Sequence, residues 1–315
     1  MLKFTARRFA QAVLVVFVST FVMYIGIFQL GDPFETIGEK MIPPDHQAML
    51  RSSFGLDKPF YLQYLIYLKN LFTGELGIDF DQRRPVWDLL AAVAPNSVRL
   101  AILVIAINVV IGVLAGVVAA VWKDTFWDTL VTVSTILMLC LPLFALGVTL
   151  RHSLSGLDVF GVELFPTIPH SYLVEVPWYK EVLLPALTLA VLDIAFIARL
   201  MRASMIEVLH ADYLNTARGK GLTERRVVLR HGVRNALIPV VNHVGIHFGA
   251  LLGGTLIVET IFQYRGLGYL FIRSLDSSNS PVILAIAVYA VIAFVVVSAL
   301  GDVLCAYLDP RIRLH

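Results

Sequence analysis

Six long apolar runs dominate this chain and restrict it to a narrow set of folds. They are Phe9–Leu30, Ser97–Trp122, Thr129–Leu150, Val182–Ala198 (extending towards Met205), Ala236–Val258 and Val282–Leu308. A helix needs roughly 20 apolar residues to cross a hydrocarbon core about 30 Å thick. Each run meets or approaches that length. The fourth is the least regular, because Asp193 interrupts it and Arg199 and Arg202 lie near its end. Lipid cannot satisfy exposed backbone N–H and C=O groups, so the runs must close their hydrogen bonds internally, as helices. Charge is correspondingly scarce: 15% of residues are charged and 58% are hydrophobic, where a soluble domain is about a quarter charged. The predicted fold class is all-α, a polytopic membrane protein with six transmembrane helices.

The distribution of Lys and Arg orients the spans. With the N-terminus placed inside, the inner segments hold 14 basic and six acidic residues, the outer segments hold 10 and 15, and Arg99 falls just inside the second run. Asp193 and Asp302 fall within spans. The asymmetry predicts that both termini are cytoplasmic. Phe9–Leu30 exceeds the ~7–15 apolar residues of a cleaved signal peptide and is read as a retained first span. The predicted organisation is a cytoplasmic N-terminus with helix 1 over 1–30, an external segment over 31–96, and a core over 97–308. Within the core lies a cytoplasmic loop at 206–235, and residues 309–315 form a cytoplasmic tail. In the external segment, Pro33, Pro43, Pro44, Pro59 and Pro85 act as breakers. Between them, Pro59–Phe72 is predicted to form an amphipathic helix along the membrane surface, within a small helical cap.

Polar residues inside the spans narrow the options further. Asp193, Asn242, His243 and His247 are the candidates for lining a pathway. An acid at mid-membrane costs about 2.5–3.5 kcal/mol on insertion scales, so Asp193 must face the bundle interior or a wet route. His243 and His247 are four apart and share a helix face. Two ligands without an acidic third nearby in sequence do not make a metal centre, so polar lining or interhelical hydrogen bonding is expected. Asn108 is predicted to donate a hydrogen bond between helices, and Asp302 to pair with a loop arginine. Gly112 and Gly116, and Gly245, Gly249 and Gly253, recur every four residues and permit close helix approach, either within the chain or between subunits. Pro142, Pro185 and Pro239 are placed to kink spans or mark their ends. Cys140 and Cys305 are read as buried apolar side chains, without disulfide or metal spacing. His152, Ser153 and Ser155 are neighbours in sequence only and carry no nucleophile signature. No catalytic residue is expected.

The loop Glu207–Arg234 is the most organised of the polar segments. Val208, Leu209, Tyr213 and Leu214 recur with a helical period, Gly219 and Gly221 offer a break, and a basic helical stretch follows with Arg225, Arg226 and Arg230. A basic loop can simply fix topology. A short helix with apolar anchors can instead dock in a partner's groove.

The run Asp212-Tyr213-Leu214-Asn215-Thr216-Ala217-Arg218-Gly219-Lys220-Gly221-Leu222 is followed by Arg230-His231 and Arg234-Asn235-Ala236-Leu237-Ile238-Pro239. It resembles the EAA loop of binding-protein-dependent ABC importer permeases, and is most similar to the dipeptide/oligopeptide branch. Asn215-Thr216-Ala217 stands where the general motif has Glu-Ala-Ala, and Gly221 matches the motif's glycine. Gly31-Asp32-Pro33, Leu56-Asp57-Lys58-Pro59 with Gln63-Tyr64, and Gly74-Glu75-Leu76-Gly77 resemble further family segments. So do Glu259 with Phe262 and Gly266-Leu267-Gly268, and Asp309-Pro310-Arg311-Ile312-Arg313. Each is weak alone, but their order is specific.

The resemblance implies a type I importer of the plasma (inner) membrane. Its parts would be two homologous permease subunits as a heterodimer, two ATP-binding subunits and an external solute-binding protein. Residues Asp212–Leu222 would form the coupling helix that seats in the ATPases. The implied cargo is short peptides, with nickel chelates, glutathione or oligosaccharides as the alternatives within the family. A non-transporting scaffold or an ion-gradient-driven transporter is the alternative from another class. The chain has no GxxxxGKS or GxxxxGKT run, so it is not expected to be an enzyme. It needs no cofactor of its own, and ATP with Mg would be used by the partner ATPases. Lipid surrounds it, and no nucleic acid is expected. Asp193 departs from the family, where an apolar residue is usual.

Overall fold

The structure is a computed structural model that describes residues 2–28, 36–37, 40–41, 58–79, 83–159, 162–165, 176–253 and 255–308. The described residues are helical apart from connecting turns and two antiparallel ladders, β1 (Thr36–Ile37) with β2 (Lys40–Met41) and β3 (Asp158–Val159) with β4 (Val162–Glu163). The helices are α1 (Leu2–Phe28), α2 (Phe60–Thr73), α3 (Val86–Val121), α4 (Phe126–Cys140), α5 (Leu143–Leu154) and α6 (Trp178–Leu209). Then follow α7 (Asp212–Gly219), α8 (Glu224–Arg226), a π-helical turn (Val227–Gly232), α9 (Val233–Gly253), α10 (Leu256–Phe262), α11 (Leu267–Asp276) and α12 (Ser280–Leu308). Gly31–Pro33, Leu56, Asp57, Gly254 and Asp309–Arg313 lie outside the described residues, as do the side chains of Lys3, Arg7, Arg8, Asp302 and Cys305.

The described residues of all six apolar runs are largely helical, with breaks at Leu141–Pro142 in the third and Thr255 in the fifth. Among the described residues, four helical stretches are long and apolar enough to cross a membrane: α3, α6, Glu224–Leu252 (α8 into α9) and Ser280–Gly301 of α12. In α1 the apolar stretch is Ala10–Gly26. In the third run the kink expected at Pro142 is observed. The run breaks at Leu141–Pro142, and α4 and α5 meet at 98°. Leu141 is extended (φ −85°, ψ 123°), because a residue before proline is pushed out of the α region. Pro95, Pro185 and Pro239 instead lie inside helices. Helix α3 begins at Val86, so it includes residues that the sequence reading assigned to the external segment.

The chain divides into two compact units. One comprises Leu2–Val98 and Ala250–Val296, the other Arg99–Gly249 and Val297–His315. In the first, α2 packs on α1. Tyr64 Oη donates to the Phe17 carbonyl at 3.0 Å, Tyr24 Oη donates to Gln63 Oε1 at 3.3 Å, and Thr20 Oγ1 lies 3.0 Å from Tyr64 Oη. Edge-on rings of Phe17, Phe21, Tyr24 and Tyr64 fill the seam, each pair adding about 0.5–1.5 kcal/mol beyond area burial. The predicted surface helix therefore has one face, Gln63 and Tyr64, buried against α1. It ends at Gly74, whose left-handed φ of 79° lets its N–H close on the Asn70 carbonyl.

A buried polar knot ties the rest of this unit. Glu259 accepts from Ser97 Oγ (2.8 Å), Thr255 Oγ1 (2.7 Å) and the Tyr269 N–H (3.1 Å), and Ser97 Oγ accepts from the Leu267 N–H (2.8 Å). A Cβ on Gly268 would lie 2.8 Å from the Leu256 Cα, which gives the Gly266-Leu267-Gly268 motif a packing reason.

In the second unit α6 is the central element. Of its apolar stretch 67% is buried, against 28% for α3. A Cβ on Gly112 would lie 2.7 Å from Ile197 Cγ2, and one on Gly116 would lie 2.6 Å from both the Ala198 carbonyl and Met201 Cβ. The four-residue glycine spacing thus serves packing of α3 on α6 within the chain. Ala120, Ile197, Met201, Met205, Val228, Ala236 and Val240 form the apolar core around it. Cys140, in contrast to the expectation of burial, is exposed on α4, among other outward apolar side chains such as Leu137 and Ile136. A thiol is apolar enough to sit on a face turned to lipid.

Candidate functional site

Two groups of predicted residues come together, both in the second unit. The first is the loop. Helix α6 ends at Leu209, and α7 begins at Asp212 after a two-residue corner. Leu214 points inward and is fully buried, while Asp212, Tyr213, Asn215, Thr216, Gly219 and Lys220 are exposed. Ala217, Arg218 and Leu222 are half-buried. Gly219 stays helical. The break falls at Gly221, whose φ of 77° is left-handed and strained for any residue with a Cβ. The following basic helix is continuous with the fifth span through the π turn.

Arg218 staples this loop. Its Nε and Nη2 donate to the two Glu224 oxygens at 3.1 and 2.9 Å, and Nη1 donates to Asn215 Oδ1 at 3.1 Å and to the Leu209 carbonyl at 3.4 Å. The hydrogen bonds from Arg218 hold the Glu224 carboxyl below its ordinary range and raise the guanidinium in turn. At the far end, Asn235 Nδ2 donates to Tyr213 Oη at 3.0 Å and to the His231 carbonyl at 3.1 Å. The buried face carries Leu214, Val227 and Val228. The outer face keeps Lys220, Arg225, Arg226, Arg230 and Arg234 exposed. A short helix is therefore held rigidly across the ends of α6 and α9 with one face open.

The second group lies among the spans. Asp193 of α6 is only 6% exposed at its side chain. It accepts from Asn108 Nδ2 of α3 at 2.6 Å, and its other oxygen lies 2.8 Å from His243 Nε2 of α9. His247 Nε2 approaches the same carboxylate to 3.7 Å. The two imidazoles lie 5.7 Å apart and nearly parallel, and Phe196 stacks on His243 at 4.3 Å. The expected interhelical role of Asn108 is observed, and Asp193 joins three helices as a hydrogen-bonded partner. No acid stands near the histidines in sequence, but the fold supplies one. Asn242, the fourth candidate, is exposed elsewhere on α9.

Sequence reasoning missed two features of this unit. Asp128, at the start of α4, accepts from Arg202 Nε and Nη2 at 2.6 and 2.7 Å. Its signal was an acid at the mouth of a charge-free run, matched by an arginine at the end of another. The second is the pairing of Arg218 with Glu224, whose six-residue offset lies outside the usual helical spacing.

Comparison with known proteins agrees with this architecture. A family model described as "Binding-protein-dependent transport system inner membrane component" matches residues 112–314. A second, for the N-terminal part of such a membrane component, matches residues 1–101. The chain belongs to this family. Similar proteins include the glutathione transport system permease protein GsiC of Escherichia coli O6:H1, 36% identical over 316 residues with 99% of each chain covered. GsiC of Shigella flexneri serotype 5b and of Shigella boydii serotype 4 are each 35% identical over the same length and coverage. As an ABC importer permease subunit, the chain is a multi-pass inner-membrane transport component. The two family models meet within α3, whereas the two compact units each draw on both halves of the sequence.

Proposed function

We propose that this chain forms half of the translocation pathway of an ATP-driven importer for glutathione or a short peptide of similar size. Similarity over the full chain to permeases named for glutathione transport carries the cargo reading. It favours glutathione, one of the alternatives within the family, over the main expectation of di- and oligopeptides. The loop supports the coupling role: α7 is short, anchored by Leu214, stapled by Arg218 and open on its outer face. Cytosolic ATPases would grip that face, and their closure would move α6 and α9 as rigid bodies. The remaining partners are a second permease subunit and an external binding protein. Asp193, His243 and His247 would border the route, with Asn242 nearby on the same helix.

The test is uptake of labelled glutathione into proteoliposomes holding the complete transporter, with its binding protein outside and ATP inside. Unlabelled di-, tri- and pentapeptides serve as competitors. ATP-dependent uptake that glutathione competes best is expected. Uptake of another peptide without any of glutathione would sink the cargo reading, and uptake that follows an ion gradient without ATP would sink the importer reading.

A further inference from the structure

We infer that Asp193, His243 and His247 form a binding site for a divalent first-row transition-metal ion. The donor atoms of the three residues all lie within 4.8 Å of one another. Zinc-type ions bind imidazole nitrogen and carboxylate oxygen at about 2.0–2.2 Å, so donors sharing an ion stand up to about 4 Å apart. A small rotation of the side chains brings all three into range. The histidines are one turn apart on α9 and their rings are nearly parallel, so both Nε2 atoms are directed at one carboxylate on α6.

Protein atoms alone leave this arrangement incomplete. One carboxylate faces two imidazoles, but only His243 makes a full-strength contact; His247 at 3.7 Å is beyond hydrogen-bond reach. Behind the carboxylate, Asn108 Oδ1 is buried without a hydrogen-bond partner. A divalent cation between the three donors would satisfy both imidazoles and the carboxylate together. Other features suit an ion. Asn108 holds the carboxylate from behind, as supporting residues at metal sites do. Phe196 fixes the plane of His243. The side chains of His243 and His247 stay 24% and 29% exposed, which leaves an approach and open coordination positions. Two imidazoles with one carboxylate select zinc, nickel, cobalt or iron(II) over calcium or magnesium. The three residues are those proposed to border the route, but their affinity for metal depends neither on which cargo passes nor on the loop.

The experiment uses the complete transporter, purified in mild detergent through a tag that contains no histidine. Cobalt(II) is titrated in, and its visible absorption is read together with metal content after dialysis. The wild type should retain about one cobalt per copy of this chain, displaceable by zinc. His247→Ala and Asp193→Asn should lose it, and His152→Ala, at an exposed position on α5, should keep it. Asn108→Ala should weaken binding roughly 10- to 100-fold. Zinc should raise the thermal midpoint of the wild type and not that of His247→Ala. If Asp193→Asn does not accumulate, His247→Ala and His243→Ala decide. No retained cobalt in the wild type, or equal retention in the histidine variants, overturns the site.

Discussion

Single glycines in this chain differ sharply in what they tolerate. Gly116 sits where α3 touches α6, and a methyl group there would lie 2.6 Å from a backbone carbonyl and from Met201 Cβ. The carbonyl belongs to the centre of a buried helix and cannot move alone. Gly116→Ala should therefore destabilise by about 1–3 kcal/mol, the usual cost of overpacking. Gly26, on α1, has nothing within 4 Å of its would-be Cβ, so Gly26→Ala should be neutral or slightly stabilising through helix propensity. Thermal unfolding in detergent compares the two, and equal midpoints would contradict the packing argument. The spacing of Gly112 and Gly116 was legible as a close-approach motif, but not which helix it approaches. Asp193 shows the same limit. Its cost in the membrane was legible, and so was the need for a partner. Its partners are separated from it by 85 and 50 residues along the chain, and only packing of α3, α6 and α9 chooses them.

At the scale of elements, the loop was read more fully than the spans. Helical period and glycines placed α7 and the break at Gly221, because local chemistry dictates both. Pro142 marked the break between α4 and α5, but the size of the turn, 98°, was not legible, since hydropathy runs through it unchanged. Only Leu141–Pro142 carried the signal. The role of Arg218 was also out of reach, because its acceptors Leu209, Asn215 and Glu224 lie on three different elements. Arg218→Ala should loosen α7 while leaving the spans inserted, and should lower ATP-dependent uptake about 10-fold through lost coupling. Proteoliposome transport with unchanged membrane content is the measure. The staple also has a pH signature. Glu224 has a depressed pKa in the folded chain, so its contribution is present above the ordinary glutamate range of about 4.3. It is lost only as pH falls through the lower folded value. The pair is solvent-exposed and worth at most about 1 kcal/mol. Proteolytic nicking of the loop should thus be flat near neutrality and rise only in acid, and Arg218→Ala should nick faster at neutral pH with that acid step removed.

For the whole molecule, the charge asymmetry of the sequence assigns segments to the two sides of the membrane. The loop around α7 is basic, and α2 lies in a segment with more acids than bases. Basic segments are retained on the cytoplasmic side during insertion, so α7 and α2 should face opposite compartments. Lys220 and Lys69 are exposed on these two segments and can be exchanged for cysteine in a chain whose Cys140 and Cys305 are replaced by serine. In right-side-out vesicles a membrane-impermeant thiol reagent should label Lys69→Cys at once and Lys220→Cys only after permeabilisation. The inverse pattern would place the loop outside, away from any cytosolic ATPase, and the coupling role of α7 would fall with it. Simultaneous labelling of both positions in sealed vesicles would deny that the helices between them span the membrane an odd number of times.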